Sequence, residues 1–314
     1  MAYIVKPYYD HAGITLYHGD CREILKGFPD ESVNCCVTSP PYFGLRDYGV
    51  EDQIGLEPTI TQYVSNLVSV FSEVKRVLRW DGTLWLNIGD SYAANRGYQV
   101  PDGKVGDVGN SKGSIVPDGL KPKDLIGVPW RVAFALQSDG WYLRSDIIWS
   151  KPNAMPESVT DRCTKSHEYL FMLAKSERYY FDAAAISEDF VSEPPVRLRD
   201  PKKEDYASSG RITPLGGIPR TGYSESGKRN KRSVWMVPTQ PYKGAHFATF
   251  PKDLITPCIL AGCPKGGVVI DPFGGSGTTA ATAKEHNRRA ISIELNEDYL
   301  SLQTDRMSQD VLAL

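Results

Sequence analysis

The sequence lacks several features that would settle its class at once. It has no C-x-x-C pair: its six cysteines, Cys21, Cys35, Cys36, Cys163, Cys258 and Cys263, are scattered. Cys35 and Cys36 are neighbours, so on a strand their side chains point to opposite faces. Only five histidines are present, and they supply no spaced zinc ligands, so no metal site is expected and the thiols are read as reduced. No apolar run approaches the ~18 residues of a membrane span, and the start, MAYIVKPYYDHAG, has no signal-peptide core, so a cytoplasmic protein without membrane contact is expected. Positive charge is not in excess either. The 36 Lys and Arg face 38 Asp and Glu, a net −2 with histidine neutral, which excludes a uniformly basic nucleic-acid coat. There is no internal repeat and no low-complexity tract.

What is present is length, uneven charge and alternation. The 314 residues can bury a large core and fit one α/β domain with an insertion, or two smaller domains. From Arg197 to Arg232, ten Lys and Arg stand against four Asp and Glu, a local +6. β-Branched and aromatic runs bounded by Gly, Pro, Asp or Ser predict strands at 14–20, 33–38, 83–90, 141–149 and 168–176. Between them, Tyr63, Leu67, Val70, Phe71, Val74, Val77 and Leu78 recur at helical spacing over 61–80, and 129–140 reads as a shorter helix. The alternation predicts a mainly parallel sheet with helices on both faces. Residues 91–127, with six glycines from Gly97 to Gly119 among balanced charges, read as a mobile loop. The basic stretch 186–240 interrupts the pattern again and reads as an inserted segment or small subdomain.

Two turns carry the chemistry. The first is Thr38-Ser39-Pro40-Pro41-Tyr42, leaving the apolar run Val33–Val37; a Pro-Pro pair that merely ends a strand is its plain alternative. The second is Asp271-Pro272-Phe273-Gly274-Gly275-Ser276-Gly277, between an apolar strand (Val268 to Ile270) and a helix rich in Ala and Thr. A further strand, Ala290 to Ile293, ends at Glu294, 19 positions beyond Gly275. This is the order of an adenosine-cofactor site: glycines let the backbone approach the ligand, a helix N-terminus points its amides at it, and an acid ~20 residues on accepts ribose hydroxyls. A tight turn with no ligand is the alternative. A dehydrogenase puts such a turn first in its sheet; here it is last, so the halves read as permuted, and Asp20 could complete the same pocket.

At these residues the chain resembles the permuted, beta-group DNA amino-methyltransferases, which use S-adenosylmethionine to methylate the exocyclic amine of cytosine or adenine. GDCREILKGFPDESVNCCVTSPPY is similar to the segment leading to their catalytic motif, HFATFPKDLI to the one near the methionine end of the cofactor, and DPFGGSGTT to the cofactor loop. The resemblance implies a Rossmann-like seven-stranded mixed sheet, circularly permuted, whose last strand, Glu168 to Ala174, is antiparallel. It divides the chain into a catalytic half (1–185), a target-recognition segment (186–240) and a cofactor-binding half (241–314). It implies that Ser39, Pro40, Pro41 and Tyr42 are catalytic. It also implies that Asp271, Phe273, Gly275, Gly277 and Thr278 line the cofactor loop, that Glu294 holds the ribose, that Asp20 accepts the adenine amine, and that His246 and Phe247 sit near the methionine moiety. Lys228, Arg229, Lys231 and Arg232 would contact phosphates of double-stranded DNA, although a solvated charge run is the ordinary reading. A homodimer and a cognate restriction endonuclease are further partners that it leaves open.

An exocyclic amine is a poor nucleophile because its lone pair is delocalised into the ring. Ser39 Oγ and the Pro40 carbonyl, accepting the two amine hydrogens, would localise that pair, with Tyr42 offering a face to a base flipped from the duplex. SPPY favours cytosine N4 over adenine N6 in such enzymes. Pro257-Cys258 resembles the nucleophile of ring-carbon methylases, but its apolar helical neighbours point to a buried structural thiol. Trp149 to Asn153 could line the base pocket or form a plain core-and-turn, and Arg46 and Asp47 could pair with each other or touch DNA. The rival functions are a non-catalytic DNA-binding scaffold, a nicotinamide dehydrogenase, and the same chemistry on RNA or a protein amide.

Overall fold

The fold comes from a computed structural model, which describes residues 6–45, 50, 53–93, 119–189, 228–240 and 250–309. His246, Phe247, Arg46, Asp47 and most of the two interrupting segments lie outside the described residues. The chain divides into a larger unit, Met1–Asp182 with Ser233–Leu314, and a smaller one, Ala183–Arg232.

In chain order the larger unit comprises β1 (Tyr9–His11), β2 (Ile14–His18), α1 (Cys21–Ile24), β3 (Val33–Thr38), α2 (Ile60–Val77), β4 (Leu78–Ile88), α3 (Val128–Ser138), β5 (Tyr142–Ser150) and β6 (His167–Ala174). The smaller unit contributes β7 (Glu188–Asp189) and β8 (Lys228–Arg229), paired antiparallel. The larger unit resumes with β9 (Val234–Met236), α4 (Lys252–Gly262), β10 (Val268–Asp271), α5 (Thr278–Glu285), β11 (Arg289–Glu294) and α6 (Glu297–Gln309).

One sheet runs in the order β1-β2-β11-β10-β3-β4-β6-β5-β9. The strands β2, β11, β10, β3 and β4 pair parallel in succession, while β6 is antiparallel to both β4 and β5. The expected seven are all present. The sheet is wider than expected by β1 and β9, edge strands of three residues each, too short to register as hydrophobic periodicity. Val234–Met236 pairs with β5, so Ser233–Gln240 belongs to the larger unit and not to the inserted segment in which the sequence reading placed it.

The core explains why these residues form these elements. Cys35 and Cys36 point to opposite faces and both are fully buried, so helices cover both sides of β3, as a parallel strand requires. In α2 the Thr59 side chain caps the helix by accepting from the Gln62 amide, and Tyr63, Leu67, Val70, Phe71, Val74 and Val77 bury one face. Each of those large side chains contributes ~1.5–3 kcal/mol through burial. The helix ends three residues earlier than its periodicity suggests: Leu78 turns extended, starts β4 and aligns with Val33. Around the glycine-rich segment, backbone bonds from Ala93 to Asp124 and from Lys123 to Ala93, both 2.7 Å, bring its two described ends together. Among the described residues no helix is long and apolar enough to cross a membrane.

Candidate active site

The parallel strands β2, β11, β10 and β3 all end at one edge of the sheet, and this edge builds a cavity of about 870 Å³. Ser39, Pro40, Pro41 and Tyr42, leaving β3, line one side; Phe273, Gly275 and Thr278, leaving β10, and Glu294, ending β11, line another, with Asp20 beyond β2. Because β10 pairs directly with β3, with Ile270 aligned on Cys36, the two sequence motifs emerge side by side. Crevices of this kind, at the carboxyl ends of parallel strands, are where open α/β sheets bind ligands.

The glycine loop is held by the backbone and two acids, Glu294, half-buried in the cavity wall, and the buried Asp271. Glu294 accepts the Gly275 amide at 2.7 Å on one oxygen and the Asn296 amide at 2.8 Å on the other. Burial raises its pKa to about 7 in spite of those bonds. Gly275 itself has φ +50°, and Gly277, at φ +75°, opens α5. A Cβ at Gly274 would lie 2.0 Å from Ser292 Oγ, so the loop is drawn tight against β11. Two residues of α6 that sequence reasoning missed brace it from behind: Gln303 donates to the Gly275 carbonyl at 2.9 Å, and Arg306 to that of Ser276 at 3.2 Å.

Asp271 is a correction. Its carboxylate is fully buried and does not line the cavity; it accepts from Thr38 Oγ1 (2.6 Å), Thr279 Oγ1 (2.7 Å) and the Phe273 amide (3.0 Å). It ties β3 to the turn from underneath, and burial pushes its pKa up to about 6. Gly277 also lies outside the cavity wall, because its conformational role at the helix start places it against Gln303. Asp20 lines the cavity, but it caps α1 through the Arg22 amide (2.7 Å) and pairs with the Arg22 guanidinium at 2.5 Å.

The opposite side is organised by side chains from distant parts of the chain. Tyr63 donates to the Pro41 carbonyl at 2.8 Å, while the Pro40 carbonyl accepts no hydrogen bond among the described residues. The Tyr42 ring lies against Gly89, where a Cβ would come within 2.5 Å of Cε2. Its hydroxyl donates to Glu168 Oε2 at 2.7 Å and lies 3.3 Å from Asn87 Oδ1. Burial, and then the Glu168 carboxylate, hold the phenol well above its ordinary pKa, so it stays protonated. Glu168 also forms a close ion pair with Lys151, whose ammonium sits 4.2 Å from the centre of the Trp149 ring. Lys165 donates to the Asp90 carbonyl at 2.7 Å, and burial lowers its pKa. Trp149, Lys151 and Asn153 do line the cavity. Asn87, Glu168 and Lys165, also in its wall, had no motif to mark them; the one available signal was an acid, Glu168, at the head of the apolar run YLFMLA.

In the smaller unit, Glu188 accepts the Arg232 amide at 2.5 Å and faces the guanidinium groups of Arg232 (3.4 Å) and Arg229 (3.6 Å). Those two arginines are therefore partly neutralised, which the assignment of the run to phosphates did not foresee; Lys228 and Lys231 each precede one of them in the chain. Cys258 is buried on α4, donates to the Leu254 carbonyl and does not line the cavity, as a structural thiol should.

Comparison with known proteins gives the family. The sequence model of the DNA methylase family, which comprises N6 and N4 methyltransferases, matches residues 33–305. The chain is 51% identical over 296 residues to the type II methyltransferase M.Cfr9I of Citrobacter freundii, covering 94% of this chain and 88% of that one. It is 49% identical to M.SmaI of Serratia marcescens, covering 92% and 89%. Among solved structures, the cytosine-N4-specific PvuII DNA methyltransferase shares the fold, with a TM-score of 0.65 at 21% identity, over 96% of this chain and 88% of that one.

Proposed function

This chain belongs to the DNA methylase family, and from that premise we propose that it methylates the N4 amine of a cytosine everted from double-stranded DNA. The single observation that carries the proposal is that Ser39-Pro40 and the glycine loop leave adjacent parallel strands and open onto one cavity. The residues also fit S-adenosylmethionine. The loop is packed back against β11 at Gly274, and the Glu294 carboxylate, with one backbone amide on each oxygen, still has acceptor capacity for hydroxyls. Thr278 and Phe273 complete that wall.

When bound, S-adenosylmethionine supplies an electrophilic methyl group. The chain's own task is to make the amine nucleophilic. Ser39 Oγ and the Pro40 carbonyl accept its two hydrogens and favour a tetrahedral nitrogen, then stabilise the positive charge that grows there. Proline keeps the carbonyl in place with little reorganisation. Tyr42, fixed by Glu168 and Gly89, walls the base site, and the extra proton leaves the product nitrogen to water. Residues 186–232 are assigned to target recognition, and the order of the two halves is read as a circular permutation; the exposed Lys228 is assigned to phosphate contact.

The test is incubation with methyl-labelled S-adenosylmethionine and unmethylated DNA, followed by nucleoside analysis. Label in N4-methylcytosine supports the reading; label in N6-methyladenine would move the target to adenine. Ser39→Ala is expected to lower the transfer rate by ~10²–10³-fold, the scale of losing one charge-stabilising group, with DNA affinity retained. Equal transfer by the variant would sink the assigned role of Ser39.

A further inference from the structure

Met155 is the most exposed large apolar side chain among the described residues, at 85%, and it stands in the cavity wall. An exposed methionine on a floppy loop would mean little. This one stands on a pinned loop. The Lys151 amide donates to the Ser166 carbonyl at 2.8 Å, closing the base of the loop, and the Ala154 amide to the Lys151 carbonyl at 3.2 Å. Asn153 reads both backbone groups of Thr239, accepting from its amide at 2.9 Å and donating to its carbonyl at 3.1 Å. On the far side, Glu157 holds Arg162 and accepts the Lys165 amide at 3.2 Å. Pro156 follows immediately and fixes the backbone beside the methionine. Across the cavity, Leu45 is the other exposed large apolar residue in its wall, at 47%.

A cavity that receives a base from a duplex leaves a hole in the stack it came from. Closing that hole with an apolar side chain is how proteins stabilise unstacked steps, and methionine, unbranched and polarizable, adapts to an irregular gap. We propose that Met155 is a wedge that enters the base stack of duplex DNA at the gap vacated by the target nucleotide, with the Lys151–Ser166 loop as its rigid mount. The proposal rests on the base-eversion reading above and adds to it a ligand for a residue that takes no part in the chemistry.

The test uses the full chain. The modified site is first mapped by sequencing methylated product, and two synthetic duplexes are then compared, one with a normal partner opposite the target base and one with an abasic partner. In the second the target base is unpaired, and eversion needs little help. Met155→Ala is expected to lower kcat/KM on the paired duplex about tenfold, equivalent to ~1.4 kcal/mol, and to leave the abasic duplex within about twofold. Met155→Leu should restore most of the loss, and neither substitution should move Tm. Equal losses on both duplexes, or no loss on the paired one, would overturn the wedge while leaving methyl transfer intact. Absence of transfer by the unaltered protein to either duplex would overturn both readings together.

Discussion

The two sides of the cavity are built on opposite plans. The glycine loop is shaped by what is missing: no side chain at Gly274, where a Cβ would strike Ser292, and backbone amides of Gly275 and Phe273 that donate to the Glu294 and Asp271 carboxylates. The opposite side is shaped by what is added, a side-chain network of Tyr42, Asn87, Lys151 and Glu168 gathered from four separate elements. A loop made of backbone tolerates no extra atom, and a network of paired charges tolerates no lost partner. The comparison predicts opposite sensitivities.

The largest effect is expected from Glu168→Ala. It strands the Lys151 ammonium, only 18% exposed, and frees the Tyr42 hydroxyl, at a cost of ~3 kcal/mol. Tm should fall by several degrees, and Lys151→Ala combined with Glu168→Ala should cost less than the sum of the two, as a double-mutant cycle would register. If the losses simply add, the pair is not a unit and the contrast with the loop weakens. Next comes Gly274→Ala, an overpacking change of ~2 kcal/mol. Calorimetry should show cofactor affinity falling by more than tenfold, with part of it recovered when Ser292→Ala removes the struck oxygen. An unaltered affinity in Gly274→Ala would mean that the loop is not held as tightly as this packing implies.

The smallest effect is a pH dependence. Burial raises Asp271 to about 6 and Glu294 to about 7, above their unfolded values, so the folded ligand-free chain holds more protons across roughly pH 4–7. Stability therefore falls as pH rises through that window. Cofactor affinity should move the other way, rising through pH 7 as Glu294 ionises and becomes a better acceptor of hydroxyls. Glu294→Gln should flatten the affinity profile near pH 7, which titration at several pH values can check.

The same contrast explains what could be read in the chain. DPFGGSGTT was legible because a strand, a turn and a helix start lie within a few residues of each other, so spacing carries the geometry, whereas TSPPY was marked by its resemblance to a catalytic motif. Glu168 was not, because its partners stand 126 and 17 positions away, and only sheet pairing brings them together. Asp271 was recognised as an acid at the right turn, but its destination depended on Thr38 and Thr279 beneath it, which spacing does not reveal. The edge strands β1 and β9 were too short to show a period, and Gln303 and Arg306 sit on a helix that carries no turn signature.

The reversed direction of β6 has a consequence for how the enzyme acquired its polar wall. A strand delivers its first residues to one rim of a sheet and its last to the other. Had β6 run with its neighbours, Glu168, near its beginning, would have surfaced at the rim farthest from Ser39. Running backwards between β4 and β5, it hands a carboxylate from its opening turn to the rim where the other strands finish, beside Asn87 and Lys151.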